Sequence, residues 1–180
     1  MLICIFLKSM KFTVLGSGSS GNAVLISTGK TRVLVDAGLS AKEILRRINE
    51  VGESFENLDG VLITHEHGDH AGGLRVLMRH LKCPVFISGE TQNAYFATRK
   101  GNDESQKRRD ALKNKTVEIE SSQDFRIGDI DFHPFSLPHD AVDNFGFVAE
   151  SEGIKVATLW DFGHVTTLIK EKLRGCDGIV

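Results

Sequence analysis

Three histidines and an aspartate fall within six residues, His65-Glu66-His67-Gly68-Asp69-His70, directly behind the apolar run Gly60-Val61-Leu62-Ile63-Thr64. No other feature limits the fold so strongly. A short β-rich run opened by glycine reads as a buried strand. At the extended end of such a strand His65 and His67 point to the same side, because side chains alternate with period two. Both can then reach one metal ion. Gly68 lets the backbone turn, and Asp69 with His70 is carried toward a second ion at the start of the next helix. Imidazole and carboxylate together suit zinc, and also manganese or iron. A hydrogen-bonded histidine group without metal is the weaker reading of this spacing.

The rest of the chain supplies the frame. Residues 11–15, 23–27 and 31–36 are short β-rich runs, the first two separated by Gly16-Ser17-Gly18-Ser19-Ser20-Gly21-Asn22. Ser40-Ala41-Lys42-Glu43 is a capping box, followed by Ile44, Leu45, Ile48 and Val51 at helical spacing and by Gly52 as the stop. Leu74, Leu77, Met78 and Leu81 predict a helix beyond the histidine cluster, and 84–87 predicts a strand. Further strands are expected at 116–120, 129–135, 145–150 and 154–159, with a helix near 165–174. Strands interleaved with helices predict a layered α/β (α+β) domain. Between them, residues 99–115 are charged and nearly free of apolar side chains, which reads as a solvated helix or insertion, or as a lid over substrate.

A chain of 180 residues suits one domain. Residues 1–10 are expected to be an N-terminal extension, from an over-early start codon or as an added strand, with the folded domain at 11–180. The apolar run at its start is too short to span a membrane and lacks a signal-peptide pattern. Cys4, Cys83 and Cys176 are odd in number and far apart, so buried free thiols in a reducing, cytoplasmic setting are expected. The net charge of −2 gives no whole-chain argument for nucleic acid, although one basic face remains compatible with it. The chain closes on Gly178-Ile179-Val180, inside what reads as another strand, so a truncated C-terminus is expected.

Further ligands are sought at strand ends, where α/β active sites collect. His139, in Ser136-Leu137-Pro138-His139-Asp140, and Asp161, in Leu159-Trp160-Asp161-Phe162-Gly163, are the candidates. His164 is close enough to Asp161 to touch substrate, whereas His80 and His133 read as helix-surface and strand residues. Two ions a few ångströms apart would share a water and lower its pKa toward neutrality, giving hydroxide as nucleophile. Asp69 could orient that water and pass its proton on.

These residues together resemble the metallo-β-lactamase-fold hydrolases. The resemblance is carried by the histidine cluster with Gly72-Gly73, Asp36-Ala37-Gly38, His139 and Asp161-x-Gly163. Gly16 to Asn22 and Ser136 to Ala141 look most like the WalJ-like bacterial exonuclease branch. The resemblance implies an αββα sandwich whose second half is incomplete here, and two divalent ions, Zn²⁺ or Mn²⁺. It assigns His65, His67 and His139 to the first ion, Asp69 and His70 to the second, and Asp161 to a bridge between them. Asp36 would orient the site without ligating. Trp160 departs from the threonine usual before the bridging aspartate. The family's additional histidine for the second ion lies beyond residue 180, so that ion is expected to bind weakly.

The leading functional expectation is a metal-dependent phosphodiesterase or exonuclease acting on DNA. Lys107, Arg108 and Arg109 would contact the phosphate backbone, and the 16–22 loop either offers N–H groups to a phosphate or is a plain turn. The alternatives are a small-ester (thioester or lactone) hydrolase and a non-catalytic partner protein that keeps the metal scaffold.

Overall fold

The computed structural model describes residues 2–97 and 110–180. Two sheets form the centre. The first runs in the order β1 (Ile3–Leu7), β2 (Met10–Gly16), β3 (Ala23–Ser27), β4 (Arg32–Val35), β5 (Gly60–Leu62), β6 (Val85–Ile87), β7 (Thr116–Glu118). Its first four strands pair antiparallel, and β4 to β7 pair parallel. The second sheet runs β12 (Gly178–Ile179), β11 (Ile154–Thr158), β10 (Phe145–Ser151), β9 (Ile130–Ser136), β8 (Phe125–Ile127), antiparallel except where β12 meets β11. The helices are α1 (Ala41–Glu50), α2 (Gly68–Ala71), α3 (Leu74–Leu77), α4 (Gly89–Ala97) and α5 (Thr167–Leu173).

The period-two alternation of the strands accounts for the layering. On β3 and β4, Val24, Ile26, Val33 and Val35 face Phe132, Phe145 and Phe147 of the second sheet in one buried cluster. The alternate residues Ala23, Leu25 and Leu34 face the other way, onto Ile44 and Ile48 of α1 and Leu74 of α3. On the outer side of the second sheet Phe135, Val148 and Ala157 pack on Ile169 of α5. The result is the expected αββα sandwich. Phe12, Phe132 and Phe147 are wholly buried, each contributing roughly 1.5–3 kcal/mol over an exposed side chain.

The local sequence signals hold in most places. Ser40 caps α1 by accepting from the Glu43 N–H at 3.3 Å, and Gly52 takes the left-handed φ of +77° that ends the turn. Strands stand within one or two residues of every run expected to form one, and Ile3–Leu7 lies antiparallel along β2. Strand β8 lacks a periodic signal and is set by its pairing with β9. Only Leu74–Leu77 of the expected 74–81 helix is regular, although Met78 and Leu81 are still buried. The cysteines are free, but Cys4 is exposed on edge strand β1 and Cys83 and Cys176 are half-buried, not buried as expected. Among the described residues no helix is long and apolar enough to cross a membrane.

Three backbone hydrogen bonds set the floor of the site. Gly38 N donates to Asn22 O at 3.0 Å, Asn22 N to Asp69 O at 2.7 Å, and Ala37 N to His70 O at 2.7 Å. Packing is so close that a Cβ on Gly38 would lie 1.7 Å from Asp69 O. Gly38→Ala should therefore push the Asp69–His70 turn away. A loss of about 1–3 kcal/mol in stability is expected, together with reduced metal retention. Thermal denaturation and metal analysis check this, and a variant matching the parent in both would show that the turn can move freely.

Candidate metal centre

The parallel pairing of β4 with β5 brings Asp36 and Thr64 side by side just past the strand ends. Asp36 N continues the ladder by donating to Leu62 O at 2.8 Å. Its side chain then takes over: Thr64 N donates to Asp36 Oδ1 at 2.8 Å, and Thr64 Oγ1 to Oδ2 at 2.9 Å. Asp36 is wholly buried with a left-handed φ of +63°, a conformation that aspartate tolerates better than most residues. Its Oδ2 also accepts from His70 Nδ1 at 2.7 Å and from Trp160 Nε1 at 2.8 Å.

These bonds fix the state of His65. The single hydroxyl proton of Thr64 goes to Asp36, so Thr64 Oγ1 accepts from His65 Nδ1 at 3.0 Å. His65 Nε2 is thereby left with its lone pair, and it is buried without any protein hydrogen-bond partner. Burial, reinforced by the neighbouring His70 charge, holds the His65 pKa down to about 4. A buried imidazole lone pair without a partner is what a metal ligand requires.

The loop ends of the second sheet supply the rest. His139, just past β9, places Nε2 3.3 Å from His67 Nδ1. Asp161, just past β11, places Oδ2 2.8 Å from His70 Nε2 and 3.8 Å from His65 Nε2. The ligand atoms of His65, His67 and His139 lie within 4.8 Å of one another, as do those of His65, His70 and Asp161. The two groups share His65. Three imidazoles in one group and two with a carboxylate in the other are donor sets that fit divalent zinc or manganese.

Other expected residues are placed less centrally. Asp69 Oδ2 lies 3.6 Å from His70 Nε2, beside the second group and outside both sets. His164 is exposed on the bend before α5, and His80 is exposed. His133 on β9 is paired with Asp124 at 2.8 Å. Lys107, Arg108 and Arg109 lie outside the described residues.

Two contacts escaped the sequence. Asn22 Oδ1 accepts from Gly18 N at 2.9 Å, which turns its Nδ2 toward His70 Nε2 at 2.9 Å. Asn144 Nδ2 donates to the Asp161 carbonyl at 2.9 Å, holding a backbone whose φ is +53°. No spacing signals either role. Asn22 at least stood at the end of the glycine- and serine-rich segment, which meets both Gly38 and the Asp69–His70 turn.

His70 Nε2 is met by an amide donor on one side and the Asp161 carboxylate on the other. Burial works against its charge, but the bond to Asp36 and the charges of Asp36, Asp161 and Asp69 prevail, raising its pKa above 6.5. A metal at His70 must therefore displace a proton, whereas His65, common to both groups, is already neutral above about pH 4, so the difference between the groups lies in His70. Zn²⁺ affinity at the His70–Asp161 group should rise with pH across neutrality more steeply than at the first group. Calorimetry in buffers of different ionisation enthalpy measures the protons released. Equal proton release for both ions would contradict the assignment.

A family model of the Metallo-beta-lactamase superfamily matches residues 16–178. The chain is 32% identical over 95% of its length to exodeoxyribonuclease YycJ of Bacillus anthracis, covering 61% of that protein. It is 34% identical over 93% of its length to exodeoxyribonuclease WalJ of Streptococcus pneumoniae serotype 2, covering 60% of that protein. The chain thus spans about three-fifths of the length of these relatives. Among solved structures, the Rm3 metallo-beta-lactamase superposes with a TM-score of 0.68 at 20% identity, over 94% of this chain and 74% of that one; this likeness bears on the fold.

Proposed function

The chain belongs to the metallo-beta-lactamase superfamily, and from that premise we propose that it is a metal-dependent phosphodiesterase acting on DNA ends. One observation carries the reading. A chain with two adjoining metal-ligand groups is 32–34% identical, over nearly its whole length, to two proteins named exodeoxyribonuclease.

His65, His67 and His139 would hold one divalent ion, and His70 and Asp69 the other, with Asp161 reaching toward both. Bound there, such ions supply Lewis-acid stabilisation to phosphate oxygens and lower the pKa of water. The remaining work belongs to the chain. Asp36 fixes the tautomer of His70 by accepting its Nδ1 proton. Asp69, with about a third of its side chain exposed, would use one carboxylate oxygen toward the ion and the other to take a proton from an attacking water. Its backbone is held by Asn22, so the position of that carboxylate is set by the glycine-serine loop. Lys107, Arg108 and Arg109 would bind backbone phosphates, and His164 would touch the substrate beside Asp161. The reading suits a cytoplasmic protein.

The test is digestion of end-labelled double-stranded DNA with Mn²⁺ or Zn²⁺. Metal-dependent release of labelled nucleotide is expected, lost in His67→Ala. Asp36→Asn should lower metal affinity about ten- to a hundredfold, the range for the partners of ligating histidines. Arg109→Ala should raise KM for DNA and spare a small phosphodiester. No release of label with either metal would sink the nuclease reading and turn attention to thioesters and lactones.

A further inference from the structure

Trp160 is the chain's single tryptophan and stands where the motif pattern breaks. We propose that it is a positioning residue for the metal ion held by His70 and Asp161, its indole N–H locking the buried Asp36 carboxylate and the Asp161 loop into one unit. The proposal rests on the metal-centre reading above.

The argument begins with the acceptor capacity of Asp36. An ionised carboxylate offers about four lone-pair sites, and Asp36 meets four donors: Thr64 N, Thr64 Oγ1, His70 Nδ1 and Trp160 Nε1. The first three come from the stretch Thr64–His70, which leads from the end of β5 into α2. Only Trp160 arrives from the second sheet, at the end of β11. Its bond therefore ties the two sheets together at the floor of the site.

The bond also closes a ring. His70 Nδ1 lies 2.7 Å from Asp36 Oδ2, and His70 Nε2 lies 2.8 Å from Asp161 Oδ2. Asp161 is joined to Trp160 by a peptide bond, and Trp160 Nε1 returns to Asp36 Oδ2 at 2.8 Å. The indole also lies against the His70 ring, with centroids 6.0 Å apart at 51°. Asp161 sits in the left-handed region, at φ +53°, so an untethered loop would have reason to relax. Neither His67 nor His139 belongs to this ring, and His65 only borders it, its ring 4.2 Å from that of His70 and its Nε2 3.8 Å from Asp161 Oδ2. Loss of the indole N–H should therefore weaken the ion at His70 and Asp161 much more than the ion at His67 and His139, which loss of general packing would not do.

Two measurements on the whole chain decide the matter. A single tryptophan gives a single indole cross-peak in a ¹⁵N–¹H spectrum, and in the wild type it should be protected from solvent exchange and should move as Zn²⁺ is added. Zn²⁺ titration against a competing chelator, with metal counting, is then compared for wild type and Trp160→Phe. The variant should bind the second ion about ten- to a hundredfold more weakly and the first ion with a much smaller loss. An indole proton exchanging as fast as free indole would overturn the proposal, and so would a variant that binds both ions as tightly as the parent. Equal weakening of both ions, with a lower Tm of the metal-free protein, would also overturn it, by reducing Trp160 to packing. If Trp160→Phe does not fold, the wild-type cross-peak decides alone. A wild type that binds no Zn²⁺ would fail the metal-centre reading itself, an outcome distinct from two ions held equally well by parent and variant.

Discussion

The Asp36 carboxylate is the contact on which the site depends. It is wholly buried, and a buried carboxylate is costly unless donors surround it. Here the donors are a backbone N–H, a hydroxyl, an imidazole and an indole. Each of them fixes something else. The Thr64 hydroxyl sets the tautomer of His65, the His70 bond orients that imidazole, and the Trp160 bond reaches the opposite sheet. Removing the carboxylate would leave four donors without their acceptor, those of Thr64 and His70 buried, so the damage would extend well beyond one hydrogen bond.

The fold is arranged to deliver that carboxylate. Parallel pairing of β4 and β5 aligns their C-terminal ends, where Asp36 and Thr64 meet, and Phe145 N donates to Thr64 O at 3.2 Å to bring β10 up to the same point. His139 and Asp161 then arrive from the loops after β9 and β11. The Asp69–His70 turn can close over the floor because Gly38 has no side chain to hold it off. The geometry of the candidate ligands follows from strand register and one close backbone approach, and the loops inherit their positions from both.

Much of this was legible in the sequence because it rests on local periodicity. Val24/Ile26 against Ala23/Leu25 shows the two-faced burial of a central strand, Ser40 to Glu43 marks a helix start, and His65-x-His67 marks two imidazoles on one side. What could not be read was long-range. Strand β8 owes its existence to β9, and Asn22 meets His70 only because a turn 48 residues later folds onto it. Cys4 looked like a core thiol by composition, yet β1 is an edge strand whose Ile3, Ile5 and Phe6 are exposed. Trp160 was visible as a departure from pattern, but its use of Asp36, 124 residues away, was not.

The two histidines nearest Asp36 are treated in opposite ways although their rings are only 4.2 Å apart. His65 has no carboxylate in hydrogen-bond reach, and burial keeps it neutral. His70 lies between Asp36 and Asp161, and their charges overcome the same burial. Environments that push adjacent titratable groups apart in this way divide a site into distinct roles. On the metal reading, the shared ligand His65 presents a ready lone pair, while His70 must surrender a proton before it can ligate. The inequality comes from Asp36 and its partners, so the four donors that make the carboxylate tolerable in the core also make the two halves of the centre chemically different.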